Sequence, residues 1–162
     1  MKAIICEEFG PVEDLVMKEV ADPSPGPGEV LIRTEAAGVN YTDGLTVQGL
    51  YQDKPDRPFI PGSEVAGEIV ALGEKETCFA LPAGMDAADA CAMVIAWGTS
   101  HHALKQRAQL QAGETLVIFG AAGATGTAAI QIGKIMGATV IAVCSSEEKR
   151  KIALGQGADH AI

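Results

Sequence analysis

Gly120-Ala121-Ala122-Gly123-Ala124-Thr125-Gly126 stands between an apolar run, Thr115–Phe119, and a helical stretch over residues 127–136. This arrangement constrains the chain more than any other feature. A continuous apolar run such as TLVIF reads as a strand covered on both faces, as in a parallel sheet. Thr139–Val143 (TVIAV) is a second such run, and Gly137 before it suits a helix C-terminal cap. Ser145 and Glu148 have capping-box spacing ahead of a helix over residues 149–154, and residues 158–162 begin a third strand. Strand, turn, helix, strand, helix, strand at this spacing predicts a βαβαβ unit with right-handed crossovers.

A glycine-rich turn that follows a buried strand and opens a helix is the setting of the dinucleotide fingerprint. Here Gly123 lets backbone approach a pyrophosphate, and Gly126 lets the helix pack closely on the strand. Amides at the helix N-terminus are then expected to face the phosphates, aided by the helix dipole, with Ala122, Gly123, Ala124, Thr125 and Gly126 as the cofactor-binding candidates. The strict pattern has glycine where this chain has Ala121, and an ordinary tight βα turn is the other reading. The end of the second strand chooses the cofactor. NAD-binding folds carry an acid there, about 20 residues on, for the ribose 2′-hydroxyl. This chain has Val143-Cys144-Ser145-Ser146, followed by Lys149 and Arg150. Hydroxyls and cations in place of a carboxylate suit a 2′-phosphate and predict NADPH, with Ser145, Ser146 and Lys149 as contacts. The other reading makes Ser145 a helix cap and the cations a solvated face.

The preceding half reads differently. Residues 2–6, 29–34 and Val65–Leu72 are strand candidates, and residues 40–50 hold a short helix. Asp22-Pro23-Ser24-Pro25-Gly26-Pro27-Gly28 excludes helix, because proline removes donors and glycine permits turns. An alanine-rich helical region runs from 86 to 105 with an interruption near Gly98-Thr99. Residues 1–81 carry 15 acids and 6 bases, whereas residues 82–162 carry 6 of each. That asymmetry predicts two regions, with the acidic one solvated. A net charge of −9 argues against nucleic-acid binding. No run approaches the ~20 apolar residues of a membrane helix, and MKAIICEEFG lacks the pattern of a signal peptide. Four cysteines with no CxxC pair read as reduced thiols, and the expected location is cytoplasmic.

Taken in order, several segments resemble the medium-chain dehydrogenase/reductase superfamily, and within it the zinc-independent quinone oxidoreductases. They are residues 1–5, Pro25-Gly26-Pro27-Gly28-Glu29-Val30-Leu31-Ile32, Ala37-Gly38-Val39-Asn40-Tyr41-Thr42-Asp43, residues 58–67, Trp97-Gly98-Thr99 and residues 113–162. The resemblance implies an α/β plus β chain. Residues 1–81 form an incomplete chaperonin-ten-like (GroES-like) barrel domain. Residues 82–162 hold linking helices and the first half of a Rossmann domain, with the active site in the cleft between. Relatives run to about twice this length, with a six-stranded Rossmann sheet. The chain is therefore expected to be shortened internally near Thr77-Cys78 and truncated at its C-terminus. A half sheet leaves an apolar edge, so self-association is expected, whereas full-length relatives are homodimeric.

Zinc-dependent relatives hold a catalytic zinc at positions that correspond here to Asn40, Ser63 and Ile95, none of them a good ligand. Cys91, His101 and His102 have no ligating spacing among themselves, so no metal is expected. Carbonyl polarisation then falls to hydrogen-bond donors, for which Asn40, Tyr41 and Tyr51 are the catalytic candidates. Half-buried aromatic packing is the other reading of the two tyrosines. By the same resemblance Asp43 and Glu64 brace the loop, and Thr99 lines the nicotinamide site. The expected function is NADPH-dependent hydride transfer to a quinone or other α,β-unsaturated carbonyl. The alternatives are a truncated, non-catalytic nucleotide-binding fragment and an enoyl reductase-type member of the same superfamily.

Overall fold

The computed structural model describes residues 1–73, 78 and 80–162. The junction of Thr77 with Cys78 lies outside the described residues. The chain packs as two compact units, Met1–Cys91 and Ala92–Ile162.

In the first unit β1 (Lys2–Ile5) pairs antiparallel with β2 (Val16–Glu19), Lys2 facing Glu19. β3 (Val30–Ala37) pairs antiparallel with β4 (Val65–Leu72), with register shifts at Leu31/Ile32 and Thr34/Ala36. Helix α1 (Tyr41–Val47) follows β3. A small core forms where Ala66 meets Ala90 and Cys91 of helix α2 (Ala87–Ala92). Cys6 is buried, and its Sγ lies 3.3 Å from the Glu8 carbonyl oxygen and 3.8 Å from that of Val47. Burial pushes the Cys6 thiol up, against a smaller downward pull from Arg57.

The second unit opens with helical backbone that alternates between α and π. A π segment, Met93–Trp97, leads into α3 (Gly98–His101), and a second covers His102–Arg107. The expected interruption at Gly98-Thr99 is therefore no break, because Trp97 and Gly98 both keep helical dihedrals. β5 (Thr115–Phe119), β6 (Thr139–Val143) and β7 (His160–Ala161) then form a parallel sheet in that order, crossed by α4 (Ala124–Ile135) and α5 (Glu147–Gly155). The predicted βαβαβ unit is present. Its core joins Ile118, Val140 and Ala142 to Ile130 of α4 and Ala153 of α5. Ile130 and Val140 are fully buried, each contributing about 1.5–3 kcal/mol by area.

β5 departs from expectation. Leu116 and Ile118 turn to the helices, but Val117 and Phe119 remain 47% and 80% exposed. Both crossover helices join the core on one face of the sheet, so an all-apolar strand is covered on one side only. At the other end of β6, Asp159 accepts from the Val140 backbone N–H at 2.7 Å and from Lys134 Nζ at 2.7 and 2.8 Å. One carboxylate thereby ties α4 to the sheet. Trp97 Nε1 donates to Gln131 Oε1 at 3.1 Å, and Gln131 Nε2 donates to Gln156 Oε1 at 2.6 Å. No helix among the described residues is long and apolar enough to cross a membrane.

Candidate functional site

The glycine turn sits at the carboxyl end of β5, beside the carboxyl end of β6: the Ala121 N–H donates to the Val143 carbonyl at 3.4 Å. In open parallel sheets this is where ligands bind. Gly120 makes the turn at φ 63°, a left-handed value that favours glycine. α4 starts at Ala124, with Gly123 as its N-cap at φ −81° and ψ 168°. The helix thus begins three residues before the expected Thr127 and takes in Gly126.

The three glycine positions differ in what a side chain would meet. A Cβ at Gly126 would lie 2.6 Å from the Gly120 carbonyl oxygen and 2.7 Å from Ala121 Cα, so the turn itself demands glycine there. The close helix-to-strand contact expected of Gly126 belongs instead to Gly133, whose Cβ would meet Leu116 Cδ2 at 2.7 Å and Val140 Cγ2 at 3.2 Å. Gly123 is different again. Its nearest neighbour to a Cβ is the Gly120 carbonyl oxygen at 3.5 Å, an ordinary contact, and its φ suits any residue. Nothing among the described residues requires glycine at this position, so a side chain there is open to the space in front of the helix start. As N-cap, Gly123 offers no side-chain acceptor to the first-turn amides of Ala124, Thr125 and Gly126. Gly123, Ala124 and Thr125 are exposed, and Ala122 is half-buried. Bare amides at the start of a twelve-residue helix fit a diphosphate.

The end of β6 carries the second half of the site. Ser146, not Ser145, is the N-cap of α5, and its hydroxyl accepts from the Lys149 N–H at 3.3 Å. The residue three places after this cap is Lys149, so no Ser145–Glu148 capping box forms. Ser145 is thereby free of capping, and its Oγ accepts from Lys149 Nζ at 3.0 Å. Among the described residues Lys149 pairs with no carboxylate. Arg150 does: its guanidinium lies against Glu147 Oε2, at 3.0 Å from Nε and 2.8 Å from a terminal nitrogen. The two cations read together from the sequence are thus in different states.

Ser100 is a contributor that sequence reasoning missed. It is the buried polar residue of this unit, and its hydroxyl donates to the Thr125 carbonyl at 2.9 Å, fixing α3 to the first turn of α4. Its place directly after Trp97-Gly98-Thr99 was the available signal. Thr99 itself is exposed.

In the first unit the structure gathers Asn40, Asp43, Ser63 and Glu64. Asp43 accepts from the Asn40 N–H at 2.7 Å and from Ser63 Oγ at 2.9 Å, while Asn40 Nδ2 donates to Glu64 at 2.9 Å. Asp43 and Glu64 brace the loop as expected. An amide and a hydroxyl already held by carboxylates are poor zinc ligands. Tyr41 opens α1 and is 83% exposed, so the packed-aromatic reading fails for it. Tyr51 is half-buried and outside this network. Ile95 is half-buried in the second unit. Among the described residues no group of three His, Cys, Asp or Glu side chains is placed to hold a metal.

Residues 26–133 match the alcohol dehydrogenase GroES-like domain. The chain belongs to that family, the medium-chain dehydrogenase/reductases. Its residues 124–162 match the domain described as zinc-binding dehydrogenase. Quinone oxidoreductase-like protein 2 of Rattus norvegicus is 31% identical, covering 99% of this chain and 53% of its own length. Quinone oxidoreductase of Homo sapiens is 32% identical, covering 98% of this chain and 57% of its own. Among solved structures, the quinone oxidoreductase of Thermus thermophilus, also described in complex with NADPH, superposes with a TM-score of 0.87 at 34% identity. That match covers 99% of this chain and 59% of the other. The chain thus spans about half the length of the curated relatives it matches. The rat match runs over 189 positions against 162 residues here, so at least 27 aligned positions have no residue in this chain. The architecture of this family member is a GroES-like domain followed by the start of a Rossmann-type parallel sheet.

Proposed function

We propose that this chain carries the nucleotide site and part of the substrate site of an NADPH-dependent oxidoreductase acting on quinones or other α,β-unsaturated carbonyls. The observation that carries the reading is the pair of half-sites at one sheet edge. The helix start at Gly123 has no side chain and no cap, and the neighbouring strand end has Ser145 and Lys149 where an acid would select NAD. The relatives support it, since the Thermus thermophilus enzyme is described with NADPH.

NADPH supplies the hydride when bound. The amides of Ala124, Thr125 and Gly126 hold the diphosphate, with glycine at 123 keeping the approach open. Lys149 Nζ and Ser145 Oγ hold the 2′-phosphate by charge-assisted bonds, and Ser146 keeps α5 capped beside them. Thr99 borders the nicotinamide. Asn40, with one amide hydrogen given to Glu64, retains its second, which would serve as a donor to a substrate oxygen. Tyr41 and Tyr51 are the further donors. The reaction runs without zinc, since Asn40 and Ser63 are occupied by Glu64 and Asp43. The 27 or more aligned positions of the rat relative that have no residue in this chain favour one second reading, a module that binds nucleotide without turnover.

The test is NADPH binding by titration together with NADPH consumption against a panel of quinones and enones. Tight NADPH binding with turnover supports the first reading, and binding without turnover supports the second. A protein that binds neither NADPH nor NADH overturns both.

A further inference from the structure

The geometry at the start of α5 points to Glu147 as a residue that limits selectivity for the 2′-phosphate by holding Arg150 out of the site. The inference rests on the NADPH reading above and adds a determinant to it. Lys149 and Arg150 are adjacent in sequence and both follow Ser145-Ser146. They are spent differently. Lys149 Nζ reaches Ser145, a neutral partner that a phosphate can share. Two nitrogens of Arg150 converge on one oxygen of Glu147, one turn back on the same helix.

A guanidinium is the better phosphate ligand of the two cations, because its donors match two oxygens at once. Engaging Arg150 with a 2′-phosphate requires it to leave Glu147 or share it. It also brings the phosphate dianion near the uncompensated Glu147 carboxylate. Both effects weaken NADPH and leave NADH, which has no charge at that position, nearly untouched. Glu147 has a separate reason to be where it is. An acid in the first turn is favourable to the helix dipole, and Glu147 and Glu148 both stand there. The first turn of α5 therefore serves helix stability at the expense of cofactor discrimination.

The test isolates the phosphate by titrating adenosine 2′,5′-bisphosphate and 5′-AMP, alongside NADPH and NADH, against the full chain and its E147Q, R150Q and E147Q/R150Q variants. E147Q is expected to tighten the two 2′-phosphorylated ligands by about fivefold, more at low salt, with NADH and 5′-AMP within about twofold. The gain should shrink to about twofold or less when E147Q/R150Q is compared with R150Q, where only the relief of charge repulsion remains. An unchanged NADPH-to-NADH ratio in E147Q overturns the inference while leaving the NADPH reading intact. A gain that is undiminished without Arg150 also overturns it, since charge removal alone would then account for the whole change. Absence of all nucleotide binding in the unaltered protein removes the reading on which both stand.

Discussion

The two helices that start at the carboxyl edge of the parallel sheet begin in opposite ways. α4 opens on Gly123, with no side-chain cap and no charge in its first turn. α5 opens on Ser146, whose hydroxyl caps Lys149, followed by two acids. Caps commonly contribute about 1 kcal/mol, so a helix left without one forgoes stability that a single serine would restore. At α4 that serine would fit: a Cβ at Gly123 meets only an ordinary contact. On the function proposed above, one helix keeps its backbone donors free for an anion, and the other satisfies its own backbone and recognises through side chains.

The strongest way to break this contrast is Gly123→Val. Nucleotide affinity should fall by about 100-fold or more, because two methyls enter the space a diphosphate needs. The far-ultraviolet circular dichroism and melting temperature should stay near those of the unaltered protein. A variant that binds normally would mean that the bare helix start serves no ligand. Lys149→Ala is expected to weaken NADPH about tenfold, near the low end for a charge-assisted bond because Lys149 is exposed, and to leave NADH unchanged. Equal losses for both nucleotides would remove the 2′-phosphate assignment.

Ser146→Ala reverses the expected pattern of Gly123→Val. It should cost about 1 kcal/mol of stability in denaturant melts and change nucleotide affinity little. The smallest effect concerns the sheet that carries both helices. The bond from Lys134, and then that from the Val140 N–H, holds the Asp159 carboxyl below its ordinary range. A carboxyl lowered in the folded state adds stability above its ordinary value of about 3.9 and loses it as pH falls through the lower folded value. The difference in melting temperature between the unaltered protein and Asp159→Asn should therefore be steady near neutrality and shrink under acid. A difference that is flat down to the lowest pH tolerated would remove the ion pair from the account.

Much of the second unit is legible because its signals are local. Thr115–Phe119 and Thr139–Val143 fall where the apolar runs stop at Gly120 and Cys144, and the turn between strand and helix is spelled in glycine. What escaped depends on three-dimensional neighbours. β2 has no buried residue, so Val16–Glu19 shows no alternation to read. Gly133 looks like an ordinary helix residue until Leu116 and Val140 are brought against it. Ser145 and Ser146 both suit a cap, and only the path of the backbone out of β6 chooses Ser146. In the first unit the loop network of Asn40, Asp43, Ser63 and Glu64 was readable through resemblance, not through periodicity. The exposure of Tyr41 was not readable at all.

The placement of Trp97 gives the molecule an intrinsic optical reporter. It is the sole tryptophan of the chain, and the two tyrosines, Tyr41 and Tyr51, both belong to the unit Met1–Cys91. Indole emission, sensitive to the bond with Gln131 on α4, follows Ala92–Ile162 alone. Phenol absorbance follows the other unit. The two melting curves can be recorded in one unlabelled sample, and any separation between them measures how independently the halves unfold.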